Sequence, residues 1–484
     1  MKISLVVAVY FIILLCIISQ REVFTFYDEG SRCMDSIFYM SLMKSFPSDI
    51  IAYIERFYSY YPGLYIIFYP PLNQIITGFF YLLFGINNIT SRLSTFIFSI
   101  LSVVFFHKLV SEFYSKELKG IMILILLSSP YFIFLSTTNY LEVQMMFFVV
   151  SCSYYFFKTF LKSEDHSMKL GILLGVGFLI KWSIVALYLT FIIFLFFKRR
   201  GDIFKKRFLK MSLLFFLISA PFLCVMFLTG GLNALLKANV YMPFTMSDLH
   251  YYLYSPFIIF FPVFGLLGLC GLYSLCKKRR LPQYFFILVY FIVLLIVFTF
   301  VIRSRKHRYV TMFYLPYFPI LISLALKHIR KKYLYPLVIV LILLQVAHAF
   351  YATIDGSGVF ELNRGLGESS SLVVEGLPEN SNILVLDDSP IFVYYLYQKL
   401  PLFSHHIVRL KHCENVSDFN LYLQENNIYY IIGMSKHLRR FPELESLNKT
   451  VIGGVEIYKT NITEFPEKEI CNGFCKVDYV FCSK

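Results

Sequence analysis

The chain has 484 residues, 58% of them hydrophobic, 19% aromatic and only 15% charged, with a mean hydropathy of +0.66. A soluble domain of this size carries about 45–50% apolar and about 25% charged residues. The excess here lies in long uninterrupted blocks, which excludes a water-soluble enzyme, a disordered chain and a coiled coil. The formal charge of +15 is unevenly placed: 33 Lys and Arg stand against 13 Asp and Glu up to Ala352, and 12 against 17 after it. A basic membrane part is followed by a mildly acidic soluble part.

Apolar blocks suited to a hydrocarbon core of about 30 Å predict spans near residues 4–19, 92–111, 119–137, 140–160, 169–180, 182–197, 211–229, 257–275, 282–302, 310–326 and 334–352. The expectation is an α-helical polytopic membrane protein with about eleven transmembrane helices. Ser4 to Ser19 has the length of a signal-peptide core, but Gln20-Arg21 offers no small-residue cleavage site, so it reads as an anchor. Lys169 to Phe197 reads as two short helices broken at Lys181 after Gly171, Gly175 and Gly177. With Met1 inside, only that break keeps the basic runs Lys198-Arg199-Arg200, Lys205-Lys206-Arg207 and Lys277-Lys278-Arg279-Arg280 together on the cytoplasmic face.

This topology places outside the membrane a long first loop at 20–91, expected to carry interfacial helices, the loop from Gly230 to Pro256, and everything after Ala352. The expected domains are thus 1–352, a membrane part, and 353–484, a small extracytoplasmic α/β domain. In that tail Asn382–Asp388 and Ile428–Gly433 read as buried strands, Pro390–Leu400 and Val416–Asn426 as helices, and Thr450–Thr460 as a hairpin turning at Gly453-Gly454. Cys33, Cys413, Cys471, Cys475 and Cys482 fall on the outer side, where disulfides persist, with a connectivity the spacing leaves open. Asn415, Asn448 and Asn461 open short glycosylation sequons there.

The candidate chemistry is on the same face. Asp28-Glu29 follows the first span directly, and Arg32 is one helical turn from Asp28, where it can hold the carboxylates. Met34, Ile37, Phe38, Leu42 and Phe46 make an apolar stripe expected to lie in the membrane interface. An acidic pair also starts helices for dipole reasons alone, but a carboxylate at a membrane surface is partly desolvated and so suited to act as a general base. Tyr58-Ser59-Tyr60-Tyr61-Pro62 and Tyr69-Pro70-Pro71-Leu72 follow, tyrosines at headgroup depth with a proline turn.

Arg303, Arg305, Lys306 and Arg308, beside Tyr309, oppose the positive-inside rule, which points to an anion, since the Arg fork suits phosphate oxygens. A one-span shift in topology would instead make that loop cytoplasmic. Lys181 is a lone intramembrane cation, a functional residue by default unless it snorkels to the headgroups. Asn139 and Glu142, at the start of a span on the outer side, are candidates to contact an acceptor or sugar, as is Tyr61; Glu142 could equally cap its helix.

The order of these features resembles a known family. An Asp-Glu pair after the first span is followed by Pro-Pro-Leu, Phe84-Gly85 and Ser91-Arg92-Leu93-Ser94. Gly171-Ile-Leu-Leu-Gly-Val-Gly-Phe-Leu-Ile-Lys181 comes next, then a basic loop ending Arg308-Tyr309 with Leu315-Pro316. This is similar to the GT-C glycosyltransferases that use polyprenyl-phosphate sugars, of the protein O-mannosyltransferase and lipid A aminoarabinose transferase type, over roughly Met1 to Ala352. The resemblance implies an inverting transfer of a sugar from a dolichyl- or undecaprenyl-type phosphate to an acceptor hydroxyl on the extracytoplasmic face. Asp28 matches the catalytic base and Glu29 its partner, while Arg32, Tyr69, Lys181 and the Arg303–Arg308 loop with Tyr309 would lie near the lipid phosphate.

Two departures stand out. Tyr69 replaces the basic residue that the aminoarabinose transferases carry before Pro-Pro-Leu, and Arg32 is one position later than their arginine. The acceptor, whether protein, lipid or glycan, is left open. No metal ligands are assigned and no cofactor is required, although the oligosaccharyltransferase branch of the fold uses a divalent ion, so magnesium or manganese stays open too. A transporter or flippase of lipid-linked saccharides is the alternative, and nucleic acid is not an expected partner. Transporters tend to show paired broken segments in two related halves, whereas this sequence has one glycine-rich break.

Overall fold

The structure, a computed structural model, describes residues 3–20, 27–60, 66, 69–112, 114, 116–228, 246–302, 307–327 and 329–351, and in the tail 353–354, 357–358, 366–378, 381–385, 394–396, 398–399, 407–409, 423–424, 427–434, 444, 447–452 and 455–460. It divides into two compact units. The first comprises Met1–Ile18, Ile67–Asn73 and Arg92–Phe360, the second Ser19–Ile66, Gln74–Ser91 and Glu361–Lys484. The second unit thus groups most of residues 20–91 with the tail.

The first unit is helical. Among the described residues, four helices are long and apolar enough to cross a bilayer unaided: Asn88–Ser111, Lys206–Leu228, Pro282–Phe300 and Lys332–Ala349. Shorter apolar helices include Leu5–Gln20, Ser167–Ile180, Trp182–Lys198 and Pro262–Lys277. This is a multi-pass membrane protein.

Two of the expected spans are interrupted. The block 119–137 is a pair of helices, Leu118–Leu127 and Pro130–Ser136, bent by 62° at Ser128-Ser129, where Pro130 takes the first helical position. The block 257–275 is divided between Met246–Ile259 and Pro262–Lys277, again with a proline opening the second helix.

Lipid offers no hydrophobic drive between helices, so they associate through close packing at small residues. Helix Ser167–Ile180 approaches helix Lys206–Leu228 so closely that a methyl on Gly171 would stand 2.6 Å from the Met211 carbonyl oxygen. Helix Pro262–Lys277 meets His307–Leu326 at Gly271, where any Cβ would overlap the Leu321 carbonyl. Aromatic rings fill much of the rest. Phe156 stacks on Phe191 with centroids 4.1 Å apart and planes 9° from parallel.

The second unit holds helices α1 (Tyr27–Ser45), α2 (Ile50–Tyr60) and α3 (Leu366–Glu375) with a five-stranded sheet. Its strands are β1 (Asn382–Val385), β2 (Ile407–Arg409), β3 (Ile428–Met434), β4 (Asn448–Ile452) and β5 (Val455–Lys459). The order is β2-β1-β3-β5-β4. The first two pairings are parallel and the β3-β5 and β5-β4 pairings antiparallel. The expected strands and hairpin are present, with Ile452 opposite Val455, while Gly453 and Gly454 lie outside the described residues. Of the expected helix Pro390–Leu400, only Tyr394–Leu396 is described as helical, and Val416–Asn426 is almost wholly outside the described residues.

The apolar stripe of α1 does not lie in the interface. Met34, Ile37 and Phe38 are buried in one core with Phe57, Tyr81, Val373, Ile383, Val385, Tyr394, Tyr430 and Ile432, so the stripe faces protein. Only its last member, Phe46, stands out, at 84% exposure and with a left-handed φ of 41°. A chain of hydroxyls reinforces the core: Tyr81 Oη and Ser91 Oγ are 2.7 Å apart, and Ser91 Oγ and Tyr394 Oη 2.5 Å. Gly85 ends the helix Leu72–Phe84 with φ at 77°, a backbone position that glycine alone adopts without cost.

The helix crossing at Gly271 provides a test. Gly271→Ala meets backbone rather than a movable side chain, so it is expected to destabilise by about 1–3 kcal/mol, whereas Gly201→Ala, with nothing within 4 Å, is expected to be neutral. Thermal unfolding of the detergent-solubilised variants measures the difference.

Candidate functional site

Two groups of polar side chains occupy positions where the sequence places chemistry, one in each unit. In the membrane unit the glycine-rich helix ends at Ile180, and Lys181 takes an extended backbone (φ −158°, ψ 125°) before a single turn Trp182–Ile184 and a second helix from Val185. The break at Lys181 read from the sequence is therefore real. The Lys181 amide still donates to the Gly177 carbonyl at 3.0 Å. Its side chain, almost fully buried, turns to Glu142, with Nζ 2.9 Å from Oε1, and lies 4.6 Å from the centre of the Tyr309 ring.

Glu142 is the first residue of helix Glu142–Phe156, where the helix dipole favours a carboxylate. A lone lysine at membrane depth costs about 2.5–3.5 kcal/mol or more, and the partnership with Glu142 and an aromatic face offsets that cost. The sequence suggested Lys181 as a phosphate cation and Glu142 as an acceptor contact. The structure brings the two together, 39 residues apart in the chain.

Beside this pair is a set of buried amides and hydroxyls. Asn73 Nδ2 donates to Asn139 Oδ1 at 3.2 Å, Gln144 Nε2 to Asn73 Oδ1 at 2.5 Å and to Thr95 Oγ1 at 3.2 Å, and Ser94 Oγ to Asn73 Oδ1 at 3.2 Å. All five are at most 1% exposed. Asn139 sits in the non-helical link between Pro130–Ser136 and Glu142–Phe156, while Asn73 is the second residue of helix Leu72–Phe84, just after Tyr69-Pro70-Pro71. Asn73, Ser94, Thr95 and Gln144 were not foreseen as functional. Their signal was polar amides inside strongly apolar stretches, positions that hydrocarbon tolerates only with hydrogen-bond partners.

In the second unit, α1 opens with Asp28 and Glu29 in its first turn. Asp28 is half-buried; Glu29, Arg32 and Asp35 are buried. Four ionisable side chains thus occupy the first nine residues of a helix anchored in a protein core. Tyr69 and Tyr309 are half-buried in the membrane unit. Tyr61, Arg303, Arg305 and Lys306 lie outside the described residues, as does the side chain of Arg308, whose backbone opens helix His307–Leu326 together with Tyr309. Cys413, Cys471, Cys475 and Cys482 lie outside them too, and Cys33 is buried in α1. Among the described residues no group of three or more His, Cys, Asp or Glu is gathered as a metal site.

Residues 69–224 match the family model of dolichyl-phosphate-mannose-protein mannosyltransferases. No curated protein matches the chain in sequence. Among solved structures, ArnT from Cupriavidus metallidurans in the apo state superposes with a TM-score of 0.66 at 12% identity, over 94% of this chain and 97% of that one. The same protein bound to undecaprenyl phosphate gives 0.66 at 11% identity, over 96% and 99%. The Archaeoglobus fulgidus oligosaccharyltransferase, in complex with zinc and sulfate, gives 0.55 at 14% identity, over 88% of this chain and 68% of that one. The class is therefore a polytopic membrane protein with broken helices and an appended sheet. Its architecture is the GT-C fold, as the sequence resemblance to GT-C glycosyltransferases implied.

The ion pair is testable by itself. Glu142→Ala leaves a buried ammonium without its counter-charge and is expected to destabilise by about 3–5 kcal/mol, whereas Glu142→Leu combined with Lys181→Met is expected to recover most of that loss. Thermal unfolding in detergent, compared among the variants, decides the matter.

Proposed function

We propose that this protein is a membrane glycosyltransferase that moves a sugar from a polyprenyl-phosphate donor to an acceptor hydroxyl on the extracytoplasmic face, with inversion at the anomeric carbon. The observation that carries this reading is the likeness of fold, over 96% of the chain, to a protein solved with undecaprenyl phosphate. The match of residues 69–224 to a dolichyl-phosphate-mannose-dependent family supports it.

In the proposed reaction Asp28 accepts the proton of the acceptor hydroxyl, whose oxygen forms a bond to the anomeric carbon as the carbon–oxygen bond to the lipid phosphate breaks. The lipid phosphate leaves with the bonding pair. Glu29 and Arg32 orient Asp28. Lys181, Tyr69, Tyr309 and the cations Arg303, Arg305, Lys306 and Arg308 stabilise the charge that grows on the phosphate. Support for this grouping comes from the 4.6 Å approach of Lys181 to Tyr309, the residue after Arg308. No cofactor enters the reaction as written. The proposed orientation has the N-terminus in the cytoplasm, the first loop and the tail outside, and about eleven crossings in all.

A positioned general base contributes about 10²–10⁴-fold. Asp28→Asn is expected to lower transfer by that factor with an unchanged unfolding temperature, measured with purified protein, radiolabelled polyprenyl-phosphate sugar and membrane extract as acceptor source. Full activity in that variant would remove Asp28 from the chemistry. For orientation, a Ser304→Cys variant is expected to react with an impermeant thiol reagent applied from outside intact cells. Labelling only after permeabilisation would put the basic loop in the cytoplasm and overturn the topology.

A further inference from the structure

Buried polar groups of the membrane unit form two branches of hydrogen bonds, chain connection and ring contact that start within six residues of one another. One branch runs from Asn139 and Gln144 through Asn73 to the turn Tyr69-Pro70-Pro71, four residues upstream of Asn73 at its far end. The other runs from Glu142 through Lys181 to Tyr309, the residue after Arg308. Both originate at the first turn of helix Glu142–Phe156 and the non-helical residues before it.

The backbone around these branches is discontinuous. The chain leaves helical geometry at Ser128-Ser129, again between Ser136 and Glu142, and at Lys181. In a membrane such backbone persists only where protein holds it, and discontinuous helices commonly frame ligand sites near the midplane. Asn139 accepts a hydrogen bond from Asn73, and Glu142 accepts one from Lys181. Gln144 uses both of its amide donations on Asn73 and Thr95.

We propose that Asn139, Glu142 and Gln144 are positioning residues for a lipid phosphate: together they set the separation between the Tyr69–Pro71 turn and the Lys181–Tyr309 end, without contacting the phosphate themselves. The inference rests on the donor class proposed above. It assigns to the start of one helix the task of holding two distant segments in register. Loss of one branch shifts the turn or the basic end by a fraction of an ångström and weakens the grip on the anion. The rest of the membrane unit keeps its packing, because helix contacts such as those at Gly171 and Gly271 are elsewhere.

The protein contains its own reporter. Trp182 is the only tryptophan, half-buried and adjacent to Lys181. Undecaprenyl phosphate titrated into the full-length, detergent-solubilised protein is expected to change Trp182 fluorescence saturably. Gln144→Leu and Asn73→Leu, similar in volume but unable to make these hydrogen bonds, are expected to raise the apparent Kd at least about tenfold, or about 1.4 kcal/mol, with the unfolding temperature lowered by only a few degrees. Tyr69→Phe combined with Gln144→Leu is expected to be less than additive in Kd, since the second change removes what holds the first residue in place.

Wild-type affinity in both leucine variants overturns the positioning role. So does a loss of binding that merely follows a loss of folded protein, or strict additivity with Tyr69→Phe. A wild-type chain that does not bind undecaprenyl phosphate at all overturns the donor reading itself, and with it this inference.

Discussion

The membrane unit is organised around a buried ion pair, Lys181 with Glu142, 2.9 Å apart, with the buried amides of Asn139 and Gln144 three and two residues from Glu142 in an otherwise strongly apolar unit. Neither charge is tolerable there alone. An ammonium or carboxylate surrendered by water must recover its solvation from a partner, so the helix that carries Lys181 must stop where it does and the helix that begins with Glu142 must begin where it does. The extended backbone at Lys181 and the first turn at Glu142 are two consequences of the same electrostatic requirement. Tyr309, whose ring faces the ammonium, brings a third helix under the same constraint.

What could be read from the sequence follows from how local each signal is. The break at Lys181 was legible because glycines, a lone charge and the side preference of basic loops all bear on the same few residues. The strands Asn382–Val385 and Ile428–Met434 and the hairpin after Asn448 were legible for the same reason, as short apolar or β-branched runs, the hairpin with Gly453-Gly454 between its strands. The bend at Ser128-Ser129 was not, because two small hydroxyl residues and a proline barely dent the hydropathy of a 20-residue block. The stripe on α1 was misassigned for a deeper reason. Periodicity reveals that Met34, Ile37 and Phe38 share a face but not what the face meets. Membrane interface and protein core ask for the same residues.

Pairings across long sequence separations were the least accessible. Glu142 and Lys181 were each noticed, yet nothing in either position announces the other. The same holds for Asn73 and Gln144, 71 residues apart. At 11–14% identity the GT-C architecture persists in proteins that share few side chains with this one.

The core shared by α1 and the tail's sheet has a consequence for the order of events during synthesis. Met34, Ile37 and Phe38 leave the ribosome more than 300 residues before Val373, Ile383 and Tyr430, which belong to the same core. Until those residues are made, α1 has α2 to pack against, where the Phe38 and Phe57 rings meet with centroids 5.1 Å apart, but the rest of that core is missing. The core around α1 is therefore finished only after the membrane helices between its two parts have been made, and a polypeptide interrupted before Val373 carries α1 with that core unfinished.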